Sequence, residues 1–380
     1  MRLAFLLRYW PYYGGGETVT RALTTELLKR GHEVHIIYWW KNGQGRIYHP
    51  EGLYFEHIFQ VQKIGDYNPD GDIGWLKYEL KEFVKTYNID FVINQWWPAG
   101  LVPEGTDTKY IKCWHTYLIH NILYSGNVLK YLYRRLKQDK SRIIADYIDP
   151  YYVESDALVF LSKIYTDEYR KYSASFSSKK DVCYIYNPLI YENIPTINNS
   201  MKKKEVVFVG RIEESVKKIT RILYAWRIIN KNIYDWKLKI IGDGPDLNTL
   251  KSLAKDLKLG NIAFLGAKDP RDDYETASIL LITSDIEGWP MTVVEGKSYG
   301  VVPLVMNTFS AANEIVDNGN TGVVCNSAKI SVFADMLMSL MMDEERRNIL
   351  SNNAIKDSRK FHVSNIVDSW IELMNRLSYK

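Results

Sequence analysis

The chain has 380 residues, 46% of them apolar and 25% charged. That mixture excludes a disordered, collagenous or coiled-coil polypeptide and allows about two domains at ~150 residues each. Forty-nine Lys and Arg against 45 Asp and Glu leave a net charge of +4, too little for a dedicated nucleic-acid binder but compatible with anionic small molecules or a lightly held membrane surface.

Residues 3–7 form an apolar, β-like run that Arg8 interrupts with no small-residue cleavage site behind it, so the run reads as a strand and not as a leader. The cluster Gly14-Gly15-Gly16 follows, and then a helix over 17–30 with Val19, Leu23, Leu27 and Leu28 on one face and Gly31 as its stop. Further strands are expected at 34–38, 91–94, 111–114, 157–161 and 182–186. The stretch 43–69, rich in Gly, His and Tyr, fits no element. Over 128–142, Leu129, Leu132 and Leu136 oppose Lys130, Arg134 and Lys137. This basic helix suits solvent first, and otherwise an anionic lipid surface or a phosphate-bearing acceptor.

The second half is more regular. Strands at 206–209, 238–241, 262–265, 279–282, 302–305 and 322–325 alternate with helical stripes such as Ile219, Ile222, Leu223, Trp226 and Ile229. Strand and helix in this rhythm mean parallel β-α-β units, hence two doubly wound domains with a boundary near Asn187-Pro188. An amphipathic helix over 366–377 follows the second domain. No apolar run approaches the roughly 18 residues of a membrane span. The three cysteines, Cys113, Cys183 and Cys325, are far apart and suit a reduced, cytoplasmic chain.

Several motifs fail on context. Gly296 to Gly300 matches G-x-S-x-G, but a helix precedes it where a nucleophile elbow needs a strand. Gly242-Asp243-Gly244 has Leu247 in place of the third glycine of a dinucleotide fingerprint. None of the seven histidines shows ligand spacing for a metal, and Asp70-Gly71-Asp72 reads first as a turn.

One segment carries chemistry. After the strand at 279–282 come Glu287-Gly288-Trp289-Pro290-Met291-Thr292 and, eight residues beyond the first acid, Glu295. Gly288 permits a tight turn, and Pro290 suits the first position of a helix, which would leave the N–H groups of Met291, Thr292 and Val293 free for an anion. Two carboxylates beside a phosphate site make sense only as acceptors from hydroxyl groups, one set on a sugar and one on a ribose. Gly210-Arg211 closes a neighbouring strand, and Lys217-Lys218 precede the next helix. An Arg and a Lys there can neutralise a diphosphate.

At these residues the chain resembles the retaining glycosyltransferases of family 4. The likeness runs through the GGGE loop, NP at the hinge, VGRI…KKITRILYAW, IGDGPDL, FLG and TSDIEGWPMTVVEG. It implies a GT-B fold, an α/β architecture of two doubly wound Rossmann-like domains facing a cleft. An acceptor-binding domain would span 1–188 and a nucleotide-sugar domain 189–363. The C-terminal helix, 364–380, would return to the first domain.

The resemblance also implies roles. Glu287 would hold the donor sugar's hydroxyls and Glu295 the ribose. Arg211 and Lys217 would stabilise the leaving diphosphate, with Lys217 preferred to Lys218 when KKITRILYAW is aligned on its helix. His115 would face the donor sugar, and Gly15 and Gly16 the donor phosphate or the acceptor. Gly210, Lys218, Gly244, Gly266 and Ala267 would line the donor site. Gly288, Trp289, Pro290, Met291 and Thr292 would complete it.

The implied partners are a nucleotide-sugar donor, UDP-linked by the wording of the segment, and a saccharide or lipid-linked acceptor of bacterial surface polysaccharide. Peripheral contact with an anionic membrane is compatible with these. No metal or other cofactor is expected, since the protein supplies the cations. A nucleotide-sugar 2-epimerase shares the fold but needs further acid–base groups. A decayed carbohydrate-binding protein would not need Arg211, Lys217, Glu287 and Glu295 together.

Overall fold

In a computed structural model, which describes residues 1–10, 15–40, 55–58, 74–116, 140–191 and 199–379, the alternating strands and helices assemble into two units. One comprises Met1–Ile190 with His362–Lys380, the other Tyr191–Phe361.

The first unit holds β1 (Arg2–Tyr9), β2 (Glu33–Trp40), β3 (Phe55–Ile58), β4 (Phe91–Asn94), β5 (Lys109–Trp114), β6 (Ala157–Phe160) and β7 (Asp181–Tyr184). They form one parallel sheet in the order β3-β2-β1-β4-β5-β6-β7. Strands such as β4 and β6 are buried at every position, because helices cover both faces of a parallel sheet and each side chain meets one of them. Ala4, Leu6, Ile37, Leu80, Val92, Trp97 and Tyr110 form one of its cores.

The helix Gly15–Lys29 follows β1 and ends where Gly31 adopts a φ of +79°, a conformation that costs glycine nothing. The C-terminal helix, Val363–Ser378, buries Ile366, Val367, Trp370, Leu373, Met374 and Leu377. It packs on the first helix, where Arg30 pairs with Asp368 and donates to the Ser364 carbonyl at 3.0 Å.

The second unit holds β8 (Glu205–Val209), β9 (Lys237–Ile241), β10 (Ile262–Gly266), β11 (Ile279–Ile282), β12 (Val302–Met306) and β13 (Val323–Cys325). These are parallel in the order β10-β9-β8-β11-β12-β13. The stripe read from the sequence lies on the helix Ile219–Ile229, and all five of its residues are buried. The ends of β8, β9 and β10 are laced together: Gly210 N–H donates to the Ile241 carbonyl at 3.0 Å and Gly242 N–H to that of Gly266 at 2.8 Å. Gly242 has a φ of +142°, and a Cβ there would lie 1.8 Å from the Gly210 carbonyl oxygen, so only glycine fits.

Helices that the sequence pattern did not announce include Ile330–Met342, Glu344–Ser358, Gly74–Thr86 and Lys163–Tyr172. The last starts at Ser162, whose side chain accepts from the Tyr165 N–H, a cap that stabilises by about 1 kcal/mol. The stretch 43–69 contains β3, and its remaining residues lie outside the described ones, as do Asp70, Asp72 and most of 128–142. Among the described residues, no helix is long and apolar enough to cross a membrane.

Candidate active site

In an open parallel sheet, ligands bind beyond the carboxyl ends of the strands, where the chain order reverses and neighbouring loops diverge. In the second unit that point lies between β8, whose other neighbour is β9, and β11. The loops leaving these two strands carry Arg211, Lys217 and Lys218 on one side and Glu287 on the other.

The structure joins them. Lys217 Nζ lies 2.6 Å from Glu287 Oε1, with side-chain exposures of 24% and 10%. The backbone holds both loops. Asp285 N–H donates to the Val216 carbonyl at 2.9 Å, and Thr283 Oγ1 donates to the carbonyls of Lys217 and Lys218 at 3.0 and 3.1 Å. Arg221 bridges Thr283 O and Asp285 Oδ1 at 2.8 and 2.6 Å. Lys218 adopts a φ of +52°, and its Nζ lies 3.8 Å from Asp285. Of the two lysines, Lys217 is the one brought to Glu287. Arg211 is 69% exposed and pairs with Glu213 at 3.3 Å.

The helix Met291–Ser298 begins one residue later than expected. Pro290 is its N-cap, with a ψ of 96°, and its carbonyl accepts from Val293 N–H at 3.0 Å. The extended Pro290 backbone thus places an acceptor over the first turn. Val293 is not free for an anion, and the N–H groups of Met291 and Thr292 are the ones left to face a ligand. The Trp289 side chain is buried edge-on to Phe361, with centroids 5.7 Å apart, so it packs inward. Gly288 is half-buried between Glu287 and Trp289.

At the far side of the sheet, Gly266 has open space around its Cα and Ala267 is exposed. Gly210 ends β8, whereas a Cβ on Gly244 would meet the Ile212 carbonyl oxygen at 2.3 Å. Gly244 therefore serves close packing of the two loops.

Glu295 is buried in the helix, and Tyr274 Oη donates to its Oε2 at 3.2 Å. Burial pushes its carboxyl up to about 7 against the opposing Tyr274 hydrogen bond, with Asp269 adding to the rise. The folded state thus keeps a proton that the unfolded state has lost. Stability from this group is full below the ordinary value of 4.5 and is lost as pH rises towards 7, by roughly 3 kcal/mol in total. Glu295→Gln is therefore expected to be more stable than the parent at pH 8 and no more stable at pH 5. Urea unfolding at the two pH values checks this; the same difference at both would refute it.

The first unit has its own switch point, between β1 and β4. Gly15, at the start of the first helix, is exposed with open space around it. A Cβ on Gly16 would lie 2.8 Å from Trp96 Nε1. Trp96 is 40% exposed and stacks on His115 at 5.0 Å and 22°. Burial, aided by the Lys112 charge, pushes His115 down to about 3, so its ring is neutral at physiological pH. Its Nε2 is buried with no hydrogen-bond partner among the described residues.

Three neighbours were not singled out from the sequence. Lys112, buried in β5, donates to Asn94 Oδ1 and the Trp97 carbonyl at 3.3 Å, and burial lowers it to about 7. A lysine amid the apolar run of β5 was a legible sign of this. Trp96 is announced only by the pair Trp96-Trp97 after β4, and Tyr274 by nothing local. Among the described residues, no group of three or more His, Cys, Asp and Glu side chains gathers as a metal site.

Known proteins bear on this arrangement. The family model for Glycosyltransferase Family 4 matches residues 13–190, and that for Glycosyl transferases group 1 matches residues 191–357. The poly(glycerol-phosphate) alpha-glucosyltransferase of Bacillus subtilis is 28% identical over 183 residues, 48% of this chain and 27% of the relative. The Campylobacter jejuni alpha-1,4-N-acetyl-D-galactosaminyltransferase, which acts on an undecaprenol-linked saccharide, is 26% identical over 198 residues, 51% of this chain and 55% of the relative. The chain thus spans about half or less of the length of these curated relatives. The crystal structure of WaaG, a glycosyltransferase involved in lipopolysaccharide biosynthesis, is similar along 98% of this chain and 99% of its own. Its TM-score is 0.73 and its identity 16%. With both halves matched by family models and the likeness of fold running the length of the molecule, the chain belongs to the family 4 glycosyltransferases and has the GT-B fold.

Proposed function

We propose that the protein is a retaining glycosyltransferase. It moves a hexose or N-acetylhexosamine from a nucleotide diphosphate sugar, UDP-linked in the first instance, to a saccharide or lipid-linked acceptor. The product belongs to a bacterial surface polysaccharide such as lipopolysaccharide or capsule. The observation that carries this reading is the Lys217–Glu287 pair at the switch point between β8 and β11. It sets a cation for phosphate and an acceptor for sugar hydroxyls side by side.

In this reading the second unit takes the donor. Lys217, with Arg211 and the N–H groups of Met291 and Thr292, faces the diphosphate. Glu287 accepts from the sugar and Glu295 from the ribose. As the bond from the anomeric carbon to the phosphate oxygen breaks, its electrons pass to the phosphate, and these fixed donors stabilise the growing charge. The acceptor hydroxyl forms the new bond on the same face, and its proton passes to the departing phosphate. The first unit takes the acceptor, with Gly15 and Gly16 near it, and offers the neutral His115 to the donor sugar. A lipid-linked acceptor would bring the protein to the cytoplasmic face of the membrane.

Incubation with UDP-hexoses, with release of UDP followed by chromatography, tests the reading; a chain that releases none from any nucleotide sugar refutes it. Because side-chain cations serve the phosphate, the activity is expected to survive EDTA. Loss with chelator and recovery with Mn²⁺ would return Asp70 and Asp72 to consideration.

A further inference from the structure

We propose that the Lys217–Glu287 pair makes the donor site favour the sugar-bearing nucleotide over the bare nucleoside diphosphate. The inference rests on the reading of this site as a nucleotide-sugar site. Lys217 and Glu287 are 2.6 Å apart and mostly shielded from water. Neither loop can swing away easily, because Thr283 Oγ1 is bonded to the Lys217 carbonyl and Asp285 N–H to that of Val216.

A diphosphate that reaches for Lys217 therefore arrives beside the Glu287 carboxylate. Two anions then share one cation where solvent screens them poorly. A donor sugar resolves the conflict. Its hydroxyls donate to Glu287 in place of the lysine, and Lys217 turns fully to the phosphate. A bare nucleoside diphosphate has no such donors and meets the carboxylate uncompensated. Once the sugar has been transferred, Glu287 reclaims Lys217 and the spent nucleotide is held less tightly than the donor was. Glu287 is thus a specificity-determining residue that acts against product as well as for substrate.

Titration calorimetry of the full chain with UDP, GDP and ADP, and with their glucose conjugates, tests this. Glu287→Gln keeps the shape and removes the charge, and it is expected to bind the bare nucleoside diphosphate about tenfold more tightly than the parent, as relief of like-charge crowding at a shielded site allows. The advantage of the sugar conjugate over the bare nucleotide should shrink in the same variant. Glu287→Ala, smaller and also neutral, should repeat the tightening, and in a Lys217→Met background Glu287→Gln should gain less. An unchanged or weaker affinity of both neutral variants for the bare nucleotide, beside a parent that binds it, overturns the inference alone. A parent chain that binds none of the six ligands overturns the donor-site reading and the inference with it.

Discussion

If Glu287 holds the donor sugar as proposed, Glu287→Ala is expected to lower glycosyl transfer at saturating donor by about 10²–10³-fold, the cost of losing a polar contact made most strongly in the transition state. Positive charge grows on the sugar ring as the leaving group departs, and a carboxylate bound to its hydroxyls both orients the ring and opposes that charge. The residue also pairs with Lys217 at 2.6 Å, and that lysine keeps 24% of its side chain exposed. Water can therefore reach the ammonium once its partner is gone, and the variant should lose only about 1–2 kcal/mol of stability. Steady-state kinetics at saturating donor, beside a thermal melt, separate the two effects. A cooperatively folded variant with turnover near that of the parent would remove Glu287 from the chemistry.

Lys217→Ala is the companion change, expected to cost about 10²–10³-fold in turnover and less in donor affinity, because charge accumulates on the phosphate only as the bond breaks. Lys218→Ala should cost far less, since its ammonium is turned to Asp285, 3.8 Å away. Arg211 is 69% exposed and close to Glu213 in this structure. It must leave that contact to reach a phosphate, so Arg211→Ala should fall between the two lysine variants. If Arg211 and Lys217 act on one diphosphate, the double variant loses less than the product of the single losses. Full activity of Lys217→Ala beside an inactive Lys218→Ala would show that the wrong lysine faces the donor. Full activity in all three single variants would overturn cationic assistance to the leaving group.

Much of the fold was legible because parallel strands and their covering helices impose distinct periods on the sequence. The run Ile279–Ile282 is apolar at every position and is buried at every position, while Ile219, Ile222 and Trp226 recur at helical spacing and line the core. The first unit was less legible. The helices Lys140–Tyr147 and Lys163–Tyr172 carry charged and aromatic residues around most of their circumference, and a short apolar stripe does not stand out from such a background. β3 reads Phe-Glu-His-Ile, with two polar residues at its centre, so it lacks the continuous apolar run that marks the other strands of a parallel sheet.

The candidate site divides in the same way. Gly288, Pro290 and the spacing of Glu287 and Glu295 mark a strand–turn–helix joint that local chemistry dictates, and Gly210, Arg211 and Lys217 mark its neighbour. By itself the sequence determined the two doubly wound units, the strand ends where these residues lie, and the kinds of group gathered there. Backbone propensity, hydrophobic period and turn chemistry are all local in the chain. Only the tertiary structure decided which groups meet. It chose Lys217 over Lys218 for Glu287, because the left-handed Lys218 turns its own side chain toward Asp285. It set Tyr274 against Glu295 and His115 against Trp96. It also seated the C-terminal helix on the first helix through Arg30 and Asp368. Each of these contacts joins residues far apart in the chain, and a pairing of that kind follows from the packing of whole elements, which no local pattern encodes.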